Sequence, residues 1–448
     1  MKKYSTFWTR GLNQNRISLL SVFQYAFILC LILDFRSIWL HTDSLAWISR
    51  LVKLLMGVSV VAGGLARRKA SVGRFSRCLL AMGLMVVYVG IWYLFDPLKS
   101  SRIITILIQL LAIIVYCMLV EDSVEDTMYK YTSIVLVIAV ISLFFWALGS
   151  TLKYIRPTGY LYTTWTGNDL PKKVTSYYGI YFETQSVTFF GLTGKMVRNT
   201  AIFTEAPMAS MIFSTAFLAE LLMQDKLNWK RCAILMAAVV STISTTGYMV
   251  VIAAAGLRYV FTRQRTRGGH LLKLVLLPTA FGAGAVILSF LIGQKLGTSS
   301  GSIRVDDFAA GYKAWINAPL FGNGYGNYDT IEEHMSYFRR NNTGFSNSPM
   351  LVLVYGGIYL FFPYATSMLT GFFRFVRKKM WNKMGFYLVF LCEFIITVCP
   401  FQMLSFYLFI CMARDGREQI SQFQKVQSNR PETYRKSCKK KGIHSGSE

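Results

Sequence analysis

Two residues of opposite charge, Arg198 and Glu205, lie just before Pro207, where a long apolar run begins. A guanidinium binds phosphate oxygens in bidentate geometry, and a carboxylate can take a proton from an attacking hydroxyl. The position also suits a structural role, because proline favours the first turn of a helix and the helix dipole favours a carboxylate at its N-terminus. The pair therefore predicts either an anion site with a general base or a helix start.

Further cations lie in a second polar segment, 294–347. We predict that Arg198, Arg304 and either Arg339 or Arg340 bind a diphosphate, since each is cationic and close to an apolar run. The catalytic candidates are Arg198, Glu205 and Arg304. The candidates for substrate contacts are Lys195, Tyr325, Arg339, Arg340 and Asn347.

The segment that precedes Arg198 is rich in aromatic residues. Aromatic side chains at a bilayer surface usually form an interfacial belt, and stacking on sugar rings is the sharper alternative. The sequence leaves both interpretations open. The residues are Tyr154, Tyr160, Tyr162, Trp165, Tyr177, Tyr178 and Tyr181.

The remaining ionisable residues give less specific signals. Asp306 and Asp307 are adjacent acids without a second acidic cluster, so we predict no metal and no other cofactor. His334 fits a solvated helix face better than a general base. Glu393 lies in an apolar run, where a carboxylate either has a function or packs against a serine or a backbone donor.

A glycine cluster at 322–326 could be mistaken for a nucleotide-binding loop. It lacks the Lys-Ser/Thr pair of a P-loop, and no strand pattern precedes it. The predicted role of this cluster is therefore turn formation.

Composition indicates a polytopic membrane protein. The chain has 448 residues, of which 53% are hydrophobic and 16% charged, with repeated apolar runs long enough to cross a bilayer. A net charge of +26 would suggest nucleic-acid binding in a soluble protein. Here the basic residues cluster in short links between apolar runs, as the positive-inside rule predicts, so nucleic acid is excluded as a partner. The eight cysteines lie in apolar runs or in the basic tail, which excludes a disulfide framework.

The apolar runs predict an all-α fold in the plasma membrane with a cytoplasmic N-terminus. Five spans precede the first polar segment, residues 153–205, and place it outside the membrane. The basic residues in this segment predict that it binds an external anion. The predicted regions are a five-helix membrane region (1–152), a first large external loop (153–205), membrane helices (206–293), a second large external loop (294–347), C-terminal membrane helices (348–413) and a basic cytoplasmic tail (414–448).

Two long apolar runs, 232–261 and 385–412, are basic at both ends. Basic flanks require an even number of crossings, so each run is predicted to be a hairpin of two short helices. The breaks are expected near 241–247, where hydroxyls and a glycine can satisfy a turn, and at Pro400. One long tilted helix is the alternative for the first run. With a further span at 273–292, the total is about twelve passes.

Four segments, 198–210, 242–249, 303–328 and 346–357, resemble the bacterial O-antigen and capsular polysaccharide polymerase family, which is related to the O-antigen ligases. The first resembles an arginine followed by a Phe-x-Glu-Pro helix start, and the third an arginine followed by a Pro-Leu-x-Gly-x-Gly turn. The chain departs from the pattern with Glu-Ala-Pro in place of Glu-Pro. It also has Asn347 where ligase-like members have histidine.

The resemblance implies transfer of a growing glycan from undecaprenyl diphosphate onto a lipid-linked repeat unit at the outer face of the plasma membrane, without a metal. Arginines would stabilise the diphosphate, and Glu205 would supply the base. The implied partners are the lipid-linked oligosaccharide, the bilayer, a chain-length regulator and a flippase. The alternatives from other classes are a lipid-linked oligosaccharide flippase, an O-antigen-type ligase and a non-catalytic scaffold.

Overall fold

The computed structural model describes residues 18–42, 45–67, 72–163, 172–188, 195–224, 227–261, 299–339 and 343–414. This part of the chain is mostly helical, and six of its helices are long and apolar enough to cross a membrane. The prediction of a mainly helical chain with helices suited to crossing a membrane is therefore confirmed. The six helices are Ala46–Ala66, Val72–Phe95, Arg102–Val120, Val124–Thr151, Ala206–Met223 and Ser348–Arg377.

Most of the described helices are joined by short links, and π-helical turns extend three of them to Val120, Thr151 and Met223. In chain order they are α1 (Leu19–Asp34), α2 (Ala46–Ala66), α3 (Val72–Phe95), α4 (Arg102–Val115), α5 (Val124–Phe145), α6 (Ala206–Leu218), α7 (Trp229–Ser241), α8 (Thr245–Phe261), α9 (Ser299–Asn317), α10 (Asp329–Glu332), α11 (Ser348–Arg377), α12 (Trp381–Ile396) and α13 (Met403–Arg414). The expected span at 273–292 lies outside the described residues.

The first polar segment contains strands, which the all-α prediction missed. β1 (Gly159–Thr163), β2 (Lys172–Tyr177) and β3 (Tyr181–Glu183) form an antiparallel sheet, and β4 (Ser186–Thr188) pairs with β5 (Lys195–Val197). These strands are rich in tyrosine, valine and threonine, which suit a pleated, half-buried surface. They are short and carry no long alternating pattern, so the period-2 signal is faint in the sequence.

α6 is the central helix of the membrane region. In the apolar stretch formed by α6 and its extension, 94% of the residues are buried inside the protein, whereas 17% of those in the apolar stretch of α3 are buried. Ser214 of α6 donates a hydrogen bond to Glu393 of α12, whose side chain is fully buried. Packing of Glu393 against a serine, one of the two interpretations from the sequence, is thus observed.

The run 232–261 is a hairpin, as its basic flanks predict. α7 ends at Ser241 and α8 begins at Thr245. Arg231, at the start of α7, pairs with Glu220 of the α6 extension at 3.0 Å. Leu257 and Phe261, at the end of α8, lie with Leu222 of the same extension against Gly385. The start of α7 and the end of α8 both contact the same end of α6. The run therefore reverses direction, and a single tilted helix is excluded.

The run 385–412 is also a hairpin, broken between α12 and α13. Tyr387, near the start of α12, stacks on Phe375 of α11 with 5.3 Å between ring centroids. Arg374 of α11 donates a hydrogen bond to the backbone carbonyl of Ala413, near the end of α13. The start of α12 and the end of α13 therefore both lie beside the last turns of α11. The break between the two helices is at the opposite end of the hairpin, around Pro400.

α11 is itself broken at Gly357, which has a φ of 61°. The turn that precedes it in the chain fills the break: Ile358 N donates to Pro319 O at 2.9 Å and Tyr359 N donates to Leu320 O at 3.0 Å. Gly322 also approaches α11 closely, since a Cβ on it would meet the backbone nitrogen of Gly356. The glycine cluster thus lies in a turn, as expected, and two residues shortly before it, Pro319 and Leu320, supply hydrogen-bond acceptors to the broken helix.

We predict that Gly357→Ala destabilises the protein by more than about 2 kcal/mol, because it adds left-handed strain and a clash with the backbone of Leu320. The measurement is thermal unfolding of the detergent-solubilised protein. Gly326→Ala isolates the strain, since Gly326 has a φ of 87° but open space around it. Gly90→Ala, in a helix with open space, controls for the substitution itself. Equal melting temperatures for Gly357→Ala and Gly326→Ala would contradict the close contact.

Candidate functional site

The segment 198–205 connects β5 to α6 and is held by hydrogen bonds to the end of α1. Ile38 N donates to Ile202 O at 2.8 Å, and Thr204 N donates to Arg36 O at 3.0 Å. These two bonds form a short antiparallel bridge between 36–38 and 202–204. The bridge fixes Glu205 beside Arg36, although the two residues are far apart in the sequence.

Asn199 joins this segment to the membrane helices. Its side chain is fully buried, and the amide donates to Ser241 Oγ at 2.9 Å and to Ser142 Oγ at 3.2 Å. Its backbone nitrogen donates to Ser241 O at 3.0 Å. A buried amide is costly unless it is hydrogen-bonded, so these contacts fix the segment against α5 and against the tip of the α7–α8 hairpin.

Arg198 contacts the same hairpin tip. Its Nε donates to Thr242 O at 2.9 Å, and its Nη1 donates to Gln185 Oε1 at 3.4 Å. Desolvation lowers the pKa of Arg198, while Tyr248 and Glu205 act in the opposite direction. A guanidinium remains charged in proteins, so Arg198 is a partly desolvated cation with an Nη2 group that makes no hydrogen bond within the described part of the chain.

Glu205 occupies the N-cap position of α6, as the sequence predicts, but its carboxylate makes no capping hydrogen bond. Gln185 Oε1 instead accepts a hydrogen bond from Ala206 N at 3.0 Å. The carboxylate of Glu205 lies 3.7 Å from Arg36 Nη2, and 31% of the side chain is exposed. Glu205 therefore starts the helix through its backbone while its side chain stays available.

A pocket of about 440 Å³ opens beside Arg198. Lys172 Nζ donates to Thr184 O at 2.8 Å, and Tyr177 donates to Glu183 Oε1 at 2.8 Å. The volume is in the range of ordinary ligand pockets, and two of the three charged residues in the lining are cations. The lining residues are Lys172, Glu183, Thr184, Gln185, Ser186, Val197 and Arg198.

The cations of the second polar segment have different neighbours. Arg339 is 1% exposed, and its Nη1 donates to Asp307 Oδ1 at 2.7 Å and to Ile303 O at 3.1 Å. Asp306 lies 3.4 Å from the same nitrogen. These contacts enclose Arg339, so its side chain does not reach a ligand. Asp306 and Asp307 both pair with this arginine.

Arg304 is exposed on α9, and its charged neighbour is Asp307. The contacts of Arg198 are with Thr242 and Gln185, so the structure describes two separate groups of contacts around the two arginines. The prediction that both arginines grip one diphosphate is not supported by these contacts. Arg340 lies outside the described residues.

The other predicted contact residues are dispersed. Asn347 caps α11, with its Oδ1 accepting from Met350 N at 3.0 Å. Tyr325 packs edge-on against Phe401 at 5.0 Å, in the tip of the α12–α13 hairpin. Lys195 is exposed on β5, next to the pocket-lining strand end. Asn347 is thus a helix cap and Tyr325 packs against an aromatic ring, whereas Lys195 remains a candidate for a substrate contact.

The aromatic residues of the first polar segment divide into two groups. Tyr181 is fully buried and stacks on Phe145 of α5 at 6.1 Å, so it anchors the sheet to the membrane helices. Tyr160 is exposed and lies under Lys173 Nζ, 3.7 Å from the ring centroid. The exposed group, which suits either a belt or sugar stacking, is Tyr154, Tyr160, Tyr162 and Tyr178. Trp165 lies outside the described residues.

Sequence reasoning missed three residues of this site. Arg36 pairs with Glu205, Gln185 joins Arg198 to α6, and Glu183 lines the pocket. None of them belongs to a motif. Arg36 is an isolated cation beyond the first apolar run, and Gln185 and Glu183 are ordinary polar residues of a polar segment, so only the folded arrangement identifies them.

No family model matches the chain, and a comparison with curated proteins gave no match. A function is therefore argued from the residues and their geometry.

We predict that Arg339→Ala unfolds the second polar segment, because two buried carboxylates would lose their cation, at a cost of about 3–5 kcal/mol. Arg304→Ala, at an exposed position on α9, should leave stability within about 0.5 kcal/mol of the wild type. The measurements are the melting temperature and limited proteolysis in detergent. Equal stability of the two variants would contradict the structural role of Arg339.

Proposed function

We propose that the protein is a polysaccharide polymerase that transfers a growing glycan from undecaprenyl diphosphate to a lipid-linked repeat unit at the outer face of the plasma membrane. One observation carries the proposal. Gln185 Oε1 accepts a hydrogen bond from Arg198 and another from the backbone nitrogen of Ala206, the residue after Glu205, beside a pocket with two cations. A cationic pocket next to an available carboxylate is what transfer from a diphosphate to a hydroxyl requires.

The reaction uses these groups as follows. The hydroxyl oxygen of the acceptor sugar attacks the anomeric carbon, the bond from that carbon to the diphosphate oxygen breaks, and the lipid diphosphate leaves with the electron pair. Glu205 takes the hydroxyl proton, and Arg36 orients its carboxylate. Arg198 and Lys172 stabilise the negative charge of the departing diphosphate. Arg339 is not assigned a part, because its side chain is enclosed by Asp306 and Asp307.

The proposed topology has about twelve passes with both termini in the cytoplasm. Basic residues at one end of the helices support it: Arg231 pairs with Glu220, Lys383 with Glu125, and Arg414 with Glu121. Arg198 and Glu205 lie at the opposite end of α6 from Glu220. Under the positive-inside rule, the basic end is cytoplasmic and the pocket faces outward.

We expect Arg198→Ala to abolish long polymer in cells while protein remains detectable, since a neutral side chain cannot stabilise the diphosphate. The readout is the chain-length ladder on a gel, normalised to protein level. Arg156→Ala, an exposed arginine of the same polar segment outside the pocket, is the matched control and should give a normal ladder. Lys172→Ala should shorten the ladder. A normal ladder from Arg198→Ala would remove the basis of the proposal.

Glu205→Gln should lower the rate of polymerisation by about 10²–10⁴-fold, because glutamine cannot accept the proton. The melting temperature should stay close to that of the wild type, since the Glu205 carboxylate makes no capping hydrogen bond. The measurement is single-turnover transfer by purified protein. If the glutamine variant polymerises at the wild-type rate, Glu205 is only the start of α6.

Reconstitution into liposomes with a synthetic lipid-linked repeat separates the candidate activities. A polymerase should produce chains of increasing length from that substrate alone. A flippase would change only the leaflet in which the repeat is found, and a ligase would need a different acceptor. Chains in the absence of any other protein are the expected result, and transbilayer movement without chains would sink the proposal.

A further inference from the structure

The N-terminus of α8 lies next to the proposed site. α8 is a half-helix of 17 residues that begins at the hairpin tip. Its first helical hydrogen bond runs from Tyr248 N to Ser244 O at 3.1 Å. The backbone amides of Thr245, Thr246 and Gly247 precede that bond. Such amides, together with the positive end of the helix dipole, attract anions.

A buried hydroxyl points to a ligand at the same place. Ser210, in the second turn of α6, is 2% exposed, and its Oγ has no hydrogen-bond partner among the described residues. This Oγ lies against Gly247, 2.5 Å from the position that a Cβ would take there. A buried hydroxyl without a partner is costly, so Ser210 is placed to donate to a group held at the first turn of α8.

Arg198 lies beside this turn as well. Its Nε is bound to Thr242 O, three residues before α8 begins, and the phenol of Tyr248 interacts electrostatically with its guanidinium. Thr242 O belongs to the end of α7, so Arg198 is anchored to one half of the hairpin. Its Nη2, which makes no hydrogen bond within the described ranges, is left for a ligand near the other half.

We propose that the first turn of α8, Ser210 and Arg198 together bind a phosphate group of a lipid diphosphate. The site deepens the proposed function, on which it rests, by naming the groups that hold the phosphate at the level of the membrane. Three kinds of donor would hold the phosphate: backbone amides of α8, the hydroxyl that lies against Gly247, and the guanidinium bound to Thr242 O. Half-helix N-termini inside a membrane are suited to anionic groups of a substrate in the same way.

Thr245→Pro is the sharpest test, because Thr245 is the first residue of α8. Proline at this position removes one backbone N–H and leaves the helix intact. The matched control is Trp229→Pro, the same change at the first residue of α7, at the other end of the hairpin. Ser210→Ala removes the hydroxyl without touching the backbone.

The probe is farnesyl diphosphate, titrated into purified protein in phosphatidylcholine nanodiscs. We expect Thr245→Pro and Ser210→Ala each to weaken binding by about tenfold, and Trp229→Pro to leave it unchanged. Farnesol should bind equally weakly to all four proteins, because it lacks phosphate. Inorganic pyrophosphate tests the headgroup alone, and competition by phosphatidylglycerol shows whether ordinary lipid phosphate occupies the site.

The outcomes separate this site from the proposed function. If Thr245→Pro and Ser210→Ala bind farnesyl diphosphate as the wild type does, the α8 site is overturned, whereas the proposed polymerase stands or falls with the chains made in liposomes. The α8 site is also overturned if the wild-type protein polymerises and Arg198 is the only one of the three groups that contributes to phosphate binding. Should Thr245→Pro fail to fold, Ser210→Ala decides alone, since a serine-to-alanine change in α6 preserves the helix.

Discussion

Broken helices inside a membrane must find partners for the backbone groups that the break exposes, and this constraint shapes the end of the protein at which the helices α7, α8, α12 and α13 are broken. The α7–α8 break receives Arg198 and Asn199 at Thr242 and Ser241. The α12–α13 break receives Asp34, whose carboxylate accepts from Met403 N at 2.8 Å. In each case a polar residue from another part of the chain, either the segment 198–205 or the end of α1, makes hydrogen bonds at the break.

The sequence predicts those features that follow from local composition. Basic flanks around 232–261 and 385–412 identify both hairpins, and hydroxyl-rich residues or Pro400 identify their breaks. The position of Glu205 at the start of α6 follows from Pro207, and the turn at 322–326 follows from its glycines. Each of these rests on a few neighbouring residues whose physical preference is strong.

Pairings between distant segments are not readable in this way. The sequence predicts that Arg339 binds diphosphate, yet Asp306 and Asp307 of α9 enclose its side chain. A backbone bridge likewise brings Arg36 next to Glu205. No side-chain pattern in the sequence predicts this bridge. The sequence shows which side chains are charged, but only the fold shows which charged groups lie next to each other. The candidate site depends on this pairing.

The contact between the turn that contains Gly322 and the break in α11 restricts how this chain can vary. A Cβ on Gly322 would meet backbone atoms of Tyr355 and Gly356, and a Cβ on Gly357 would meet those of Leu320 and Phe321. In an ordinary core, a larger residue on one side can be offset by a smaller one opposite. Here the opposing surface is main chain, which no exchange of side chains can shrink, so neither glycine has a compensating partner and each is expected to be invariant on its own.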